Sequence, residues 1–281
     1  MDKYGYNFKR RIIQLISAVL YNANIKGFLK GEIFQGDIKG VCVPGLNCYS
    51  CPAAIGACPL GSLQGALGNI RYKLPFYVVG LILLFGLLLG RVICGFLCPF
   101  GLIQELLYKI PTKKLKKNRI TKKLSLLKYV LLVVLVVAIP IIYGYPAFCK
   151  YICPAGTLEG GIPLVLQNES LQNMVGIIFS WKIAVLMSVV VSAVFVNRSF
   201  CRFLCPLGAL YSFFNRVSLL GIKINEEKCN NCSRCIRACP MDIKKAGDKE
   251  CIQCGKCIES CNEKAIEWKR YNSYMKNRST H

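Results

Sequence analysis

The chain has 281 residues, 54% of them hydrophobic, and its 37 Lys and Arg outnumber 14 Asp and Glu to a formal net charge of +23. That length has room for two domains, and the apolar content exceeds what a soluble carrier needs. The single histidine, His281, excludes histidine-ligated haem, C-x-x-C-H haem attachment and a histidine zinc site, and no G-x-G-x-x-G or P-loop pattern indicates a nucleotide cofactor.

Four apolar stretches follow in chain order. Ile12 to about Phe28 is interrupted by Gln14, Asn22, Asn24 and Lys26, so it reads either as a span or as an amphipathic helix on a surface; it is too polar for a signal peptide. Leu74 to Gly90, Tyr129 to Phe148, and Ile183 to Asn197 extended back through Trp181 and Lys182 carry the composition of membrane helices. A hydrocarbon core of ~30 Å needs roughly 20 apolar residues per helix. Lys3, Lys9, Arg10 and Arg11 precede the first stretch. Lys109, Lys113, Lys114, Lys116, Lys117, Arg119, Lys122 and Lys123 separate the second from the third, and Arg198, Arg202 and Arg216 follow the fourth. Glu159 and Glu169 sit between the third and fourth. The positive-inside rule then gives four spans in the cell membrane with both termini cytoplasmic. Basic residues that flank apolar runs in this way set nucleic acid aside as a partner.

Ten cysteines fall in this first part. Cys42, Cys48, Cys51 and Cys58 form a loose group. Gly90 to Gly101, with Cys94 and Cys98, matches Asn197 to Gly208, with Cys201 and Cys205, and Cys149 and Cys153 make a looser third copy. Each copy reads C-x3-C-P-x-G. On a helix, positions i and i+4 share a face, the proline tends to end the helix, and the glycine permits a turn. Cysteine also packs as a small apolar residue, but three copies with one spacing favour a ligand or redox device. Topology places Cys94, Cys98, Cys201 and Cys205 at the inner face as a candidate tetrathiolate site. Cys42, Cys48, Cys51, Cys58, Cys149 and Cys153 fall outside, as one cluster plus a disulfide or as three disulfides. Arg91 and Arg198 either offset the charge of the inner site or snorkel to the interface. Glu105 either takes up a proton or is a solvated interface charge, the second being the commoner case.

The last third carries Cys229, Cys232, Cys235 and Cys239 as C-x2-C-x2-C-x3-C-P, and Cys251, Cys254, Cys257 and Cys261 at the same spacing. This is the ligand pattern of a bacterial ferredoxin with two 4Fe–4S clusters, in which the fourth cysteine of each run serves the other cluster. Cys229, Cys232, Cys235 and Cys261 therefore hold one cluster, and Cys251, Cys254, Cys257 and Cys239 the other. Zinc sites or a disulfide knot also use short spacings, but two full copies argue against both. The expected fold is an α-helical membrane protein of about four transmembrane helices over residues 8–212. A small α+β two-cluster ferredoxin domain follows over 213–268, entered by a strand at Gly221 to Ile224. A basic tail over 269–281 is either disordered or lies against lipid headgroups.

The segment Pro44 to Pro52, the C-x3-C-P helix ends and the C-terminal ferredoxin motif together resemble the membrane polyferredoxin family, which includes NapH-type quinol dehydrogenase subunits and the membrane domain of the NosR and NirI regulators. The resemblance runs from about Gln14 to Trp268. It implies electron transfer within the bilayer, between a cytoplasmic ferredoxin-like donor or a quinol and an extracytoplasmic redox partner. It leaves open whether the C-x3-C-P cysteines bind one or two further clusters or cycle as thiols. Two departures stand out. No flavin-binding domain precedes the membrane part, which counts against a NosR-like role, and Asn262 follows Cys261 where ferredoxins often have proline. The alternatives to an electron carrier are a transmembrane thiol–disulfide reductant, working through Cys48/Cys51 or Cys149/Cys153, and an assembly or regulatory factor for a metalloenzyme.

Overall fold

The structure is a computed structural model that describes residues 5–69, 76–115 and 117–269. The basic tail beyond 269, Lys3, Lys116 and the start of the second apolar run lie outside the described residues.

Helix α1 (Gly5–Tyr21) opens the chain, and α2 (Pro59–Gly68) and α3 (Phe76–Leu89) follow a long loop. Then come α4 (Pro99–Leu107), α5 (Thr121–Tyr143), α6 (Ile177–Phe195) and α7 (Pro206–Phe214). Among the described residues, only α5 and α6 have both the length and the apolar composition of membrane spans, with mean hydropathies of 2.7 and 2.2. The described parts of α1 and α3, 17 and 14 residues, extend ~25 and ~21 Å. Leu132–Ala138 within α5 is wound as a π-helical segment just before Pro140, whose missing N–H and bulky ring disturb the α-helical ladder there.

The distribution of side chains inverts that of a soluble protein. Helix α1 turns Arg10, Gln14 and Ser17 inward and leaves Phe8, Leu15, Ile16, Val19 and Leu20 exposed. Helices α5 and α6 likewise expose Val130, Val133, Ile142, Ile177, Met187 and Val191. Contiguous exposed apolar surface on this scale marks a face that meets something other than water. The interior gathers Ile93, Phe100, Val136, Phe148, Phe200, Leu207 and Tyr211 between the helices, around the cysteine turns.

The C-terminal domain has a two-stranded antiparallel sheet, β1 (Ile222–Ile224) against β2 (Ile266–Trp268), with Lys223 opposite Glu267. Two one-turn helices, α8 (Arg234–Ala238) and α9 (Lys256–Ser260), pack on each other beside it. The domain is clamped to the helical part. Asn215 donates to the carbonyls of Asp248 and Cys251, each at 2.8 Å, and accepts from Gln253 at 3.1 Å. Tyr6 and Trp268 both meet Phe96 edge to face, at 6.4 and 5.8 Å between centroids.

Candidate metal centres

The C-terminal thiols gather in two crossed sets. Cys229, Cys232, Cys235 and Cys261 line a cavity of about 160 Å³ that opens at the surface, where Cys232 is exposed. Cys239, Cys251, Cys254 and Cys257 line a small cavity, and all four are buried. This second set abuts the helical part: Cys94 packs against its apolar surround, and a Cβ on Gly95 would meet the Ile252 carbonyl at 2.4 Å.

A third set unites Cys94, Cys98, Cys201 and Cys205, which lie near enough to act on one another electrostatically. The turns that carry them are locked by Phe100 against Phe200, edge to face at 5.2 Å. The fourth set, Cys48, Cys58, Cys149 and Cys153, lines a cavity of about 520 Å³. Cys42 and Cys51 do not line this cavity, although Cys51 packs against Cys48; their sulfurs lie 3.4 Å from the Ser62 hydroxyl and 3.5 Å from the Asn22 side-chain oxygen. All eighteen thiols are free, so the six outer cysteines are not paired as disulfides.

The local geometry corrects the reading of the repeat. The proline does end one helix, but it also starts the next, at its first turn, where a missing N–H costs nothing. Cys58, Cys98 and Cys205 are the extended residues just before these helices. The glycines thought to make a turn lie inside helices instead. A Cβ on Gly156 would sit 3.6 Å from the Cys153 sulfur and 3.7 Å from that of Cys48, and one on Gly208 would sit 3.7 Å from the Cys205 sulfur. A Cβ at either position would thus lie in direct contact with a thiol sulfur. The amides of Gly156 and Gly208 also donate to Cys153 and Cys205, at 3.3 and 3.4 Å. Cys58-Pro59-Leu60-Gly61 is a fourth copy of C-P-x-G, hidden from a search for C-x3-C-P.

The residue six places after each of these cysteines reaches across to the opposing turn. Gln64 and Gln104 contact Cys149 and Cys201, Glu159 accepts from the Cys48 amide at 2.8 Å, and Tyr211 donates to the Pro44 carbonyl at 3.1 Å. Glu159 and Tyr211 thereby fix the loop from Pro44 to Cys48. In this loop the consecutive amides of Leu46 and Asn47 approach Cys98 and Cys58 respectively. A Cβ on Gly45 would meet the Leu97 carbonyl at 3.2 Å, so a larger residue there would push the loop away by a few tenths of an ångström. Ordinary amide–sulfur contacts on neighbouring residues place those two sulfurs within roughly 11 Å of one another. The third and fourth sets are thus neighbours inside the protein and do not sit a bilayer apart.

Charge is arranged around the third set. Arg198 and Arg10 both pair with Glu105, at 2.9 and 2.5 Å, while Arg91 and Lys128 both pair with Glu250. Glu105 is therefore no solvated interface charge, and Arg91 and Arg198, with side chains fully buried, do not snorkel. Burial opposes ionisation of Glu105, but the Arg198 and Arg10 guanidinium groups hold it down to about 2. At the fourth set burial pushes the Glu159 carboxyl up to about 7 and the Cys48 and Cys149 thiols up to about 12.

Among the described residues no three Cys, His, Asp or Glu side chains converge on a point that would suit one metal ion. Several buried donors near the third and fourth sets also lack partners: Arg91 Nε and Nη2, Arg198 Nη2, Lys39 Nζ and Asn47 Nδ2. An anionic, sulfide-bearing group at each set would supply acceptors for them.

Two family models match the chain, both described as 4Fe–4S binding domains. One covers residues 74–118, 128–162 and 177–225, taking in all three C-x3-C-P copies, and the other covers 222–245. An uncharacterised protein of Methanocaldococcus jannaschii is 34% identical over 65% of this chain and 70% of its own length. The methylamine utilization ferredoxin-type protein MauN of Paracoccus denitrificans is 30% identical over 63% of the chain and 59% of its own length. The putative electron transport protein YccM of Escherichia coli is 26% identical over 64% of the chain. The chain spans only half of YccM's length. No solved structure matches. With ferredoxin-type domains, free thiols in spaced sets and these relatives, the chain belongs to the polyferredoxin, NosR-like family of iron–sulfur electron-transfer proteins.

Proposed function

We propose that this protein is a membrane-bound electron relay with four 4Fe–4S clusters. The observation that carries this reading is the unbroken series of thiol sets. The exposed Cys229 set adjoins the buried Cys251 set through α8 and α9, the Cys251 set packs on Cys94, and Leu46 and Asn47 join the Cys98 set to the Cys58 set. Bound clusters would supply one-electron redox chemistry at each position.

The chain's own residues do the rest. Cys229, Cys232, Cys235 and Cys261 form the end reached by a soluble cytoplasmic donor, because only this set includes an exposed thiol. Arg91 and Arg198 offset negative charge at the third set, and Glu105 and Glu250 hold the two guanidinium groups in place. Burial of the middle sets keeps water away from the path. The wide cavity at Cys48, Cys58, Cys149 and Cys153 is the end offered to an extracytoplasmic acceptor. In this arrangement α5 and α6 span the bilayer, α1 and α3 complete a four-helix, multi-pass topology, and both termini are cytoplasmic.

Sealed vesicles test the relay. With the protein inserted, a membrane-impermeant reductant on the ferredoxin side should reduce an impermeant acceptor trapped on the other side. A Cys94→Ala/Cys201→Ala variant should lose that transfer while its ferredoxin signals persist. Equal transfer in the variant and the wild type would refute the path.

A further inference from the structure

Gln64 and Gln104 occupy equivalent places in two copies of a pattern that the ligand motif alone does not require: C-P-x-G-x-x-Q, at Cys58 to Gln64 and Cys98 to Gln104. Both are buried, at 0% and 1% exposure, in a part of the protein otherwise filled by apolar side chains. Each makes the same three contacts. Gln104 Nε2 donates to the Phe100 carbonyl at 3.3 Å and to the Cys201 sulfur at 3.2 Å, and its Oε1 accepts from the Phe200 amide at 3.0 Å. Gln64 Nε2 donates to the Leu60 carbonyl at 3.2 Å and to the Cys149 sulfur at 3.2 Å, and its Oε1 accepts from the Phe148 amide at 3.0 Å.

Geometry gives this triad a purpose. The bond to the carbonyl four residues back pins the side chain along its own helix. The bond from the Phe amide ties it to the opposing turn, one residue before the cysteine. With those two anchors made, the remaining N–H has one direction left, toward sulfur. A buried carboxamide needs its donors and acceptor satisfied, and each glutamine satisfies them only when the two cysteine turns sit face to face.

We infer that Gln64 and Gln104 are positioning residues that set the reduction potentials of the two centres in the helical part, each acting on one centre alone. The inference rests on the relay reading above. Reduction adds negative charge to the centre and its thiolates, and an N–H aimed at a thiolate sulfur grows stronger with that charge. Each glutamine therefore favours the reduced form of its own centre, Gln104 at Cys201 and Gln64 at Cys149.

The test uses the full-length protein, purified without oxygen, with iron and sulfide counted first and each centre then titrated by EPR. Gln104→Leu should lower the midpoint of one centre by about tenfold in its reduction equilibrium, roughly 59 mV for a one-electron couple, and leave the others in place. Gln64→Leu should do the same to a different centre. Because a leucine variant could fail to load, wild-type protein carrying 15N in its glutamine side-chain amides supplies a second readout. Pulsed EPR of the reduced form should detect a 15N coupling to each of the two centres. Full loading with unmoved midpoints and no 15N coupling overturns the inference while the relay stands. An iron count that fits only the two ferredoxin clusters overturns both.

Discussion

Replacing Glu105 with glutamine removes one charge and almost no volume, so it isolates what the carboxylate does. Its two oxygens serve Arg10 at 2.5 Å and Arg198 at 2.9 Å, and neither guanidinium has any exposed side-chain surface. In Glu105→Gln both cations stay buried beside a neutral amide that has one acceptor where the carboxylate had two. Breaking a buried pair by removing one partner costs about 3–5 kcal/mol, and here one partner serves two cations, so the upper part of that range applies. Domains of this size are stable by ~5–15 kcal/mol, so the loss is a large fraction of the total. Arg198→Gln is the milder lesion, because Glu105 keeps Arg10. The assay is thermal unfolding in detergent, followed by helical signal, for wild type, Glu105→Gln, Arg198→Gln and the exposed control Glu263→Gln. The expected order of loss is Glu105→Gln, then Arg198→Gln, with the control within ~0.5 kcal/mol of wild type. A Glu105→Gln variant as stable as the control would refute the claim that this carboxylate holds the two arginines.

Two further outcomes follow from the geometry. Asn215→Ala leaves the carbonyls of Asp248 and Cys251 without their side-chain donor, at about 1–3 kcal/mol for buried groups left unpaired. Hydrogen exchange should then quicken across residues 248–254 and not in α5 or α6; unchanged protection there would show that Asn215 is no clamp. Gly156→Val fills the space between the sulfurs of Cys48 and Cys153, where even a Cβ lies at 3.7 and 3.6 Å. Bound iron should fall by about four per chain, one cubane, with the ferredoxin signals intact, and undiminished iron would contradict a cluster at that set.

What the sequence made legible was what is local. The eight C-terminal cysteines could be sorted into the two sets that the structure gathers because three members of each lie on one short loop, and the fourth follows from the spacing. The two C-x3-C pairs at Cys94 and Cys201 could be matched to each other for the same reason. The partnership of Cys58 with Cys149 and Cys153 could not, because it depends on how α2 packs against the turn after α5. Separating the ten cysteines by membrane face also missed the loop from Pro44 to Asn47, which folds back to bring the third and fourth sets together. Glu105 was misjudged because its two cations come from residues 95 positions before and 93 positions after it. Gln64 and Gln104 went unnoticed although their signal was present, as C-P-x-G-x-x-Q in two copies.

The central claim is that eight of the ten cysteines of the helical part, in its two sets of four, hold clusters as the eight ferredoxin cysteines do. Iron and acid-labile sulfide per chain, measured on anaerobically purified protein together with EPR of the reduced form, test it most directly. The account predicts about sixteen of each, four cubanes. About eight of each would confine the clusters to the C-terminal domain and contradict a relay built through the helical part.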